Sequence, residues 1–272
     1  MITFTNLGNQ GRLGNQMFQY SMLIGVANRL KTNIYIENKN ISLFNTFDII
    51  NSPEQPQLNK YKNMFIFKES GYHFNNSILN IDKKLVENNI IDFFGYFQSQ
   101  KYWSKFKEEI FNNFKFKEKV TNKKYKFNTD SLNEFCAIHV RRGDYLEKQD
   151  CHPVQSIDYY RQGIKIINNK FNCKKIIIFS DDISWCKKNF IEFEKNNHII
   201  YSENHSEQED LYLMTLCKYH IIANSSFSWW GSFLANSKYT ICPKVWFGPK
   251  LNHNTKDMYL ENWDRLWKLG YF

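Results

Sequence analysis

No stretch of this chain approaches the roughly eighteen consecutive apolar residues that a membrane-spanning helix needs. The opening Met1-Ile-Thr-Phe-Thr has neither the basic flank nor the apolar run of a secretory signal. Glycine and proline are scarce, 11 and 5 of 272 residues, which excludes collagen-like or linker-like character. The six cysteines (Cys136, Cys151, Cys173, Cys186, Cys217, Cys242) contain no CxxC pair and no zinc-like spacing. Three of them lie in apolar contexts and read as core thiols, so the expectation is a reduced, cytoplasmic protein. Acidic residues are also short, 27 against 36 Lys and Arg, for a net charge of +9. That balance favours an anionic partner, whether nucleic acid, an anionic lipid surface or a phosphorylated substrate, and cannot choose among them.

What is present is globular: 42% of residues are apolar and 17% aromatic. The length admits one large domain or two small ones, and the pattern favours two. A short strand over 2–5, a glycine-punctuated turn, a helix from about Asn15 and a strand over 33–37 make a βαβ start. Residues 40–88 read as irregular, with Pro53, Pro56 and many Asn. A buried strand over 90–96 and an amphipathic helix over 103–114 follow. The Lys-rich stretch 105–126 reads as a solvated helix face and then an interdomain connector.

Beyond it, strands at 135–140, 175–179, 198–201, 219–223 and 239–242 alternate with helices at 157–170, 184–194, 207–217 and 226–235. Such alternation means a parallel sheet covered on both faces. Residues 256–269 read as a Trp-rich helix packing back across the first domain. The expected division is therefore 1–127, 128–255 and a C-terminal helix over 256–272.

Loops that follow the strands of a parallel sheet share one rim, where ligands bind. Four such loops carry unusual chemistry. In Gly8-Asn-Gln-Gly-Arg-Leu-Gly-Asn-Gln-Met17, Gly11 and Gly14 let the backbone approach a ligand and Asn15 sits near a helix start; a plain tight turn is the alternative. In His139-Val-Arg-Arg-Gly-Asp-Tyr145, two guanidiniums end a buried strand, suiting a phosphate; an ion pair with Asp144 is the alternative. In Phe179-Ser-Asp-Asp-Ile-Ser-Trp185, Asp182 fits either a helix cap or an acceptor for a base or ribose. No third ligand is spaced to make it a metal site. In Asn224-Ser-Ser-Phe-Ser-Trp-Trp-Gly231, Ser225 and Ser226 stand at a helix start, a seat for a pyrophosphate, and at least one of the two tryptophans belongs in the core.

In their order and separation these four strings resemble the α-1,2-fucosyltransferases, enzymes that use GDP-fucose. The resemblance implies an α/β GT-B architecture, two Rossmann-like domains facing across a cleft, with GDP-fucose on the C-terminal domain and the acceptor mainly on the N-terminal one. It implies inverting, metal-independent transfer of L-fucose to O2 of a terminal galactose, with no cofactor beyond the donor substrate. Carried onto this chain, Arg141 and Arg142 bind the pyrophosphate, Asp182 and the His139 backbone the guanine, and Ser225 and Ser226 the phosphates. Gly14 lies on the donor side. Asn15 matches an asparagine beside the reacting centre of protein O-fucosyltransferases. Arg142, Asn15 and Asp144 are the catalytic candidates, with Asp144 or Glu147 as the nearest carboxylate base and arginine support as the other role for Asp144.

The expected partners are GDP-fucose and a galactose-terminated oligosaccharide or lipid-linked glycan. Nucleic acid is disfavoured, because no aromatic-basic platform is found. The basic surface fits peripheral contact with the inner face of the cytoplasmic membrane during surface-polysaccharide synthesis.

Overall fold

The computed structural model describes residues 1–50 and 61–266. The chain forms two α/β units, one of 1–119 with His253–Tyr259, the other of Val120–Asn252 with the chain from Leu260. The division falls inside the Lys-rich stretch, earlier than 127.

In the first unit, β1 (Ile2–Thr3), β2 (Ile34–Tyr35), β3 (Asn63–Lys68) and β4 (Asn89–Phe94) form a parallel sheet in the order β2-β1-β4-β3. The helix Leu13–Leu30 follows β1 and is buried along nearly its whole length, including Gln16 and Gln19. Those amides are structural ties: Gln16 Oε1 accepts from Leu43 N–H at 2.9 Å, and Gln19 Nε2 donates to the carbonyls of Gln10 and Gly95. β3 lies inside the region read as irregular. It is an edge strand with Met64, Phe65 and Ile66 exposed, so its side chains carry no in-and-out alternation for a sequence pattern to show. Ser104–Phe106 is a short 3₁₀ turn, and the expected helix is confined to Lys107–Asn113.

The second unit carries β5 (Cys136–Val140), β6 (Lys175–Ser180), β7 (His198–Tyr201), β8 (Tyr219–Ile221), β9 (Tyr239–Pro243) and β10 (Asp264–Leu266), parallel in the order β10-β9-β8-β5-β6-β7. β5 is central and wholly buried, as its continuous apolar run requires of a strand covered on both faces. The helices Ile157–Phe171, Ile183–Phe190, Glu207–Thr215 and Ser226–Leu234 follow the expected spans to within a few residues. Ser156 and Ser206 cap two of them, the latter in a full capping box with Glu209. All six cysteines are free thiols, five of them buried.

The helix expected over 256–269 is not formed in its described part, and residues 267–269 lie outside the described residues. Tertiary contacts override the helical pattern. Asp257 accepts from Phe74 N–H and from Lys101 Nζ at 2.5 Å. Trp263 packs 5.5 Å from Trp229, and β10 then adds to the sheet edge beside β9.

Candidate active site

Three of the four singled-out loops converge at the carboxyl edge of the second sheet. β5 ends at Val140, and the next two residues turn their guanidiniums onto the loop after β6. Arg141 spans Asp144 and Asp181, at 2.9 Å to the latter, and lies 5.2 Å over the Tyr145 ring. Arg142 takes Asp182 through Nε at 3.0 Å, stacks 4.1 Å over Trp185, and its backbone N–H donates to Asp181. Gly143 is required by this closeness: a Cβ there would meet Asp181 Oδ2 at 2.5 Å.

The same β5 loop reaches the loop after β8. The Tyr145 hydroxyl donates to the Asn224 carbonyl at 3.1 Å, and His139 Nδ1 shares a 2.9 Å hydrogen bond with Ser228 Oγ. His139 is buried, and burial together with Arg141 pushes its imidazole down to about 3, so it is neutral at ordinary pH. Its carbonyl accepts from the Tyr160 hydroxyl at 3.2 Å.

The two arginines differ in what they have left to offer. Both terminal nitrogens of Arg141 are occupied by carboxylates. Arg142 uses only Nε, and its two terminal nitrogens have no partner among the described residues. A fork of N–H donors fixed by an ion pair on one edge and an indole on its face is preorganised for a phosphate oxygen. Asp144 lies against Arg141, with its side chain half exposed, in the position of a support for that guanidinium. Glu147 is exposed.

Asp182 combines the two readings offered for it. Its Oδ1 caps the helix Ile183–Phe190 by accepting from Trp185 N–H at 3.0 Å, while Oδ2 holds Arg142. Desolvation pushes its carboxyl up, but these hydrogen bonds prevail and the net shift is downward. Asp181, which ties both arginines, was not singled out from sequence; the doubled carboxylate after β6 was the available signal. Ser225 caps the helix Ser226–Leu234 through Phe227 N–H at 3.3 Å, and Ser226 is its first residue. Trp229 and Trp230 are both core.

The remaining motif lies in the first unit. Positive φ falls on Gly8 and Gly11, at +92° and +94°, whereas Gly14 is an ordinary buried helical residue. Asn15, at the start of the helix Leu13–Leu30, is half buried; its Oδ1 accepts from Gln98 Nε2 at 2.7 Å, leaving its amide N–H groups free to donate. Gln98, which sequence reading did not reach, thus orients Asn15. Among the described residues no group of three or more His, Cys, Asp or Glu is placed to hold a metal ion, and no helix is long and apolar enough to cross a membrane.

The profile of Glycosyl transferase family 11 matches residues 2–266. The chain is 31% identical to an alpha-1,2-colitosyltransferase of Escherichia coli, over 95% of this chain and 97% of that protein. It is 24% identical to a galactoside 2-alpha-L-fucosyltransferase, Sec1 of Mus musculus, over 83% of this chain and 62% of that one. Among solved structures, POFUT1 in complex with GDP-fucose superposes with a TM-score of 0.58 at 14% identity, covering 87% of this chain and 94% of that one. That likeness shows the fold, of GT-B type with two Rossmann-like units.

Proposed function

Because the chain belongs to glycosyl transferase family 11, we propose that it moves L-fucose from GDP-fucose to O2 of a terminal galactose, forming an α-1,2 linkage with inversion and without a metal. The observation that carries this reading is the Arg142 guanidinium, held by Asp182 and Trp185 with its terminal donors unspent. Breaking the bond between the sugar carbon and the β-phosphate oxygen leaves negative charge on the nucleotide. Fixed cations at that phosphate therefore stabilise the transition state more than the ground state. Arg142 supplies that charge, Arg141 and its carboxylates set its position, and the N–H groups and hydroxyls at Ser225 and Ser226 complete the phosphate seat. His139 and Asp182 lie on the nucleoside side; Gly14 and Asn15 lie at the rim of the other unit. Asp144 serves the reaction by steadying Arg141.

A second donor reading has its own support. The relative at 31% identity over nearly the full chain is named for colitosyl transfer in the same α-1,2 linkage, so a different deoxysugar on the same nucleotide is the competing substrate. The acceptor is a galactose-terminated oligosaccharide or lipid-linked glycan.

Purified protein is to be incubated with GDP-fucose or GDP-colitose and a panel of β-galactosides, reading GDP release and product linkage by NMR. The reading expects fucose on O2 and an unchanged rate with chelator present. No transfer of either sugar to any galactoside contradicts it, and faster turnover of GDP-colitose selects the second donor.

A further inference from the structure

The first unit has a rim of its own, and its chemistry differs from that of the arginine cluster. Glu69 directly follows β3, and the loop 95–98 directly follows β4, so both stand at the carboxyl edge of that sheet. Glu69 Oε2 accepts from the backbone N–H groups of Tyr96 and Phe97, at 2.7 and 2.9 Å. Its other oxygen, Oε1, is buried and has no hydrogen-bond partner among the described residues.

A buried carboxylate oxygen without a donor carries the desolvation cost of a charged group, and in a folded protein it calls for a specific explanation, of which a catalytic role is one. The neighbouring atoms repeat the pattern. Gln98 and Gln19, both almost fully buried, each leave Oε1 without a partner among the described residues, although each donates through its NH₂ to a fixed acceptor.

Two further observations point to a ligand. Phe97 sits at φ +52°, a region costly for a bulky residue. Its fully buried ring, wedged against Phe4, Phe93 and Tyr102, holds it there, and that backbone aims its N–H at Glu69. Beside it, half-buried Tyr72 stacks on Tyr96 at 5.4 Å and meets His253 at 4.2 Å. Partly exposed aromatic faces next to an acceptor and amide pairs make a surface for a molecule with one apolar face and a rim of hydroxyls, the description of a sugar ring.

We infer that this rim binds the acceptor sugar: Glu69 takes the proton of the attacking hydroxyl, the Tyr72–Tyr96–His253 stack carries the ring face, and Gln98 and Asn15 bond neighbouring hydroxyls. The inference rests on the transferase reading. In the step, the O–H bond of the acceptor breaks and its proton goes to Glu69 Oε1, while the acceptor oxygen bonds the donor's sugar carbon. The carbon's bond to the phosphate breaks and its electron pair leaves with the nucleotide.

Desolvation pushes the Glu69 carboxyl up to about 7, against the two backbone donors, which suits a base that must exchange protons near neutral pH. Ionisable groups near it among the described residues include Tyr72, Tyr96, His253, the Tyr102 phenol, and Asp257 with its partner Lys101. Of these, Asp257 is pulled down net and is ionised throughout the neutral range, so it does not account for a limb near 7.

Glu69→Gln and Tyr96→Ala are to be compared with the wild type in three measurements. These are transfer to lactose across pH, GDP affinity, and saturation-transfer NMR of lactose. Glu69→Gln is expected to lose about 100-fold or more in transfer, and the acid limb of kcat with it, while GDP affinity is unchanged. Tyr96→Ala is expected to raise the KM for lactose about tenfold, with a smaller effect on kcat. Wild-type-like transfer in Glu69→Gln, or an acid limb that survives the substitution, overturns the inference while leaving the transferase reading intact. Should Glu69→Gln not fold, Tyr72→Ala and Tyr96→Ala carry the same comparison. If the wild type transfers to no galactoside, the transferase reading fails by itself. Saturation-transfer signals from a panel of simple glycosides then decide the subsite: loss in the variants supports it, and no signal or no loss overturns it.

Discussion

At the carboxyl edge of β5 and β6 the charges are matched, Arg141 with Asp144 and Asp181, Arg142 with Asp182, whereas beside β3 and β4 the buried Oε1 atoms of Glu69, Gln98 and Gln19 have no donor among the described residues. A charge-matched cluster is rigid before anything binds, so its work is electrostatic preorganisation toward charge that develops in a reaction. In the inferred acceptor subsite, the edge with unmet acceptors takes its donors from the hydroxyls of a sugar. On that inference the two units divide the task by chemistry, one suited to an anion and the other to a neutral polyol.

The comparison breaks most readily at Arg142. Arg142→Ala removes the unspent donors and is expected to lower transfer about 100- to 1000-fold, with an unchanged far-ultraviolet circular dichroism spectrum. A variant that keeps near-normal activity would place the anion elsewhere. Arg141→Ala should cost less, because both ends of that guanidinium already serve carboxylates; about tenfold in kcat/KM is expected, and a loss equal to that of Arg142→Ala would make the two arginines equivalent.

The units should also answer pH in opposite directions. Burial pushes His139 down to about 3 and His220 to about 4, from an ordinary value of 6.5. The unfolded chain therefore binds protons that the folded one refuses, and their contribution, full above 6.5, is lost as pH falls below it. Glu69 is raised from 4.5 to about 7, so the folded chain holds a proton that the unfolded one releases. Its contribution is full below 4.5 and is lost as pH rises through 7. Urea midpoints should accordingly be higher for Glu69→Gln than for the wild type at pH 8 and nearly equal at pH 4.5. The opposite order would show that the carboxylate is stabilised by its two amides alone. Smallest is the cap: Ser225→Ala should cost about 1 kcal/mol in urea unfolding.

How much of this could be read in advance differs between the units for the same physical reasons. β5 and β6 are continuous apolar runs, Cys136-Ala-Ile-His-Val and Lys175-Ile-Ile-Ile-Phe-Ser, flanked by capped amphipathic helices, so local pattern and tertiary burial agree. The arginines, Asp182 and Ser225 stand at ends that such strands dictate. β3 is an exposed edge bounded by Asn63 and Lys68; its Met64-Phe-Ile-Phe67 run is strand-like, but it is short, lacks alternation and stands in an Asn- and Lys-rich region.

Glu69 is one carboxylate among 27 acidic residues until Tyr96 and Phe97 turn their N–H groups onto it, and that turn depends on Phe97 being wedged among rings from three other places in the sequence. The segment after Lys256 has helical periodicity, but Lys101 and Trp229 claim Asp257 and Trp263 more strongly than its own backbone does.

The central claim, that the arginine edge of the second unit seats a nucleoside diphosphate, is met most directly by titrating GDP calorimetrically into the wild type and into Arg142→Ala, without metal. Saturable binding is expected in the wild type, weakened by an order of magnitude or more by the substitution. Equal affinity in the two proteins, or no binding to either, would contradict it.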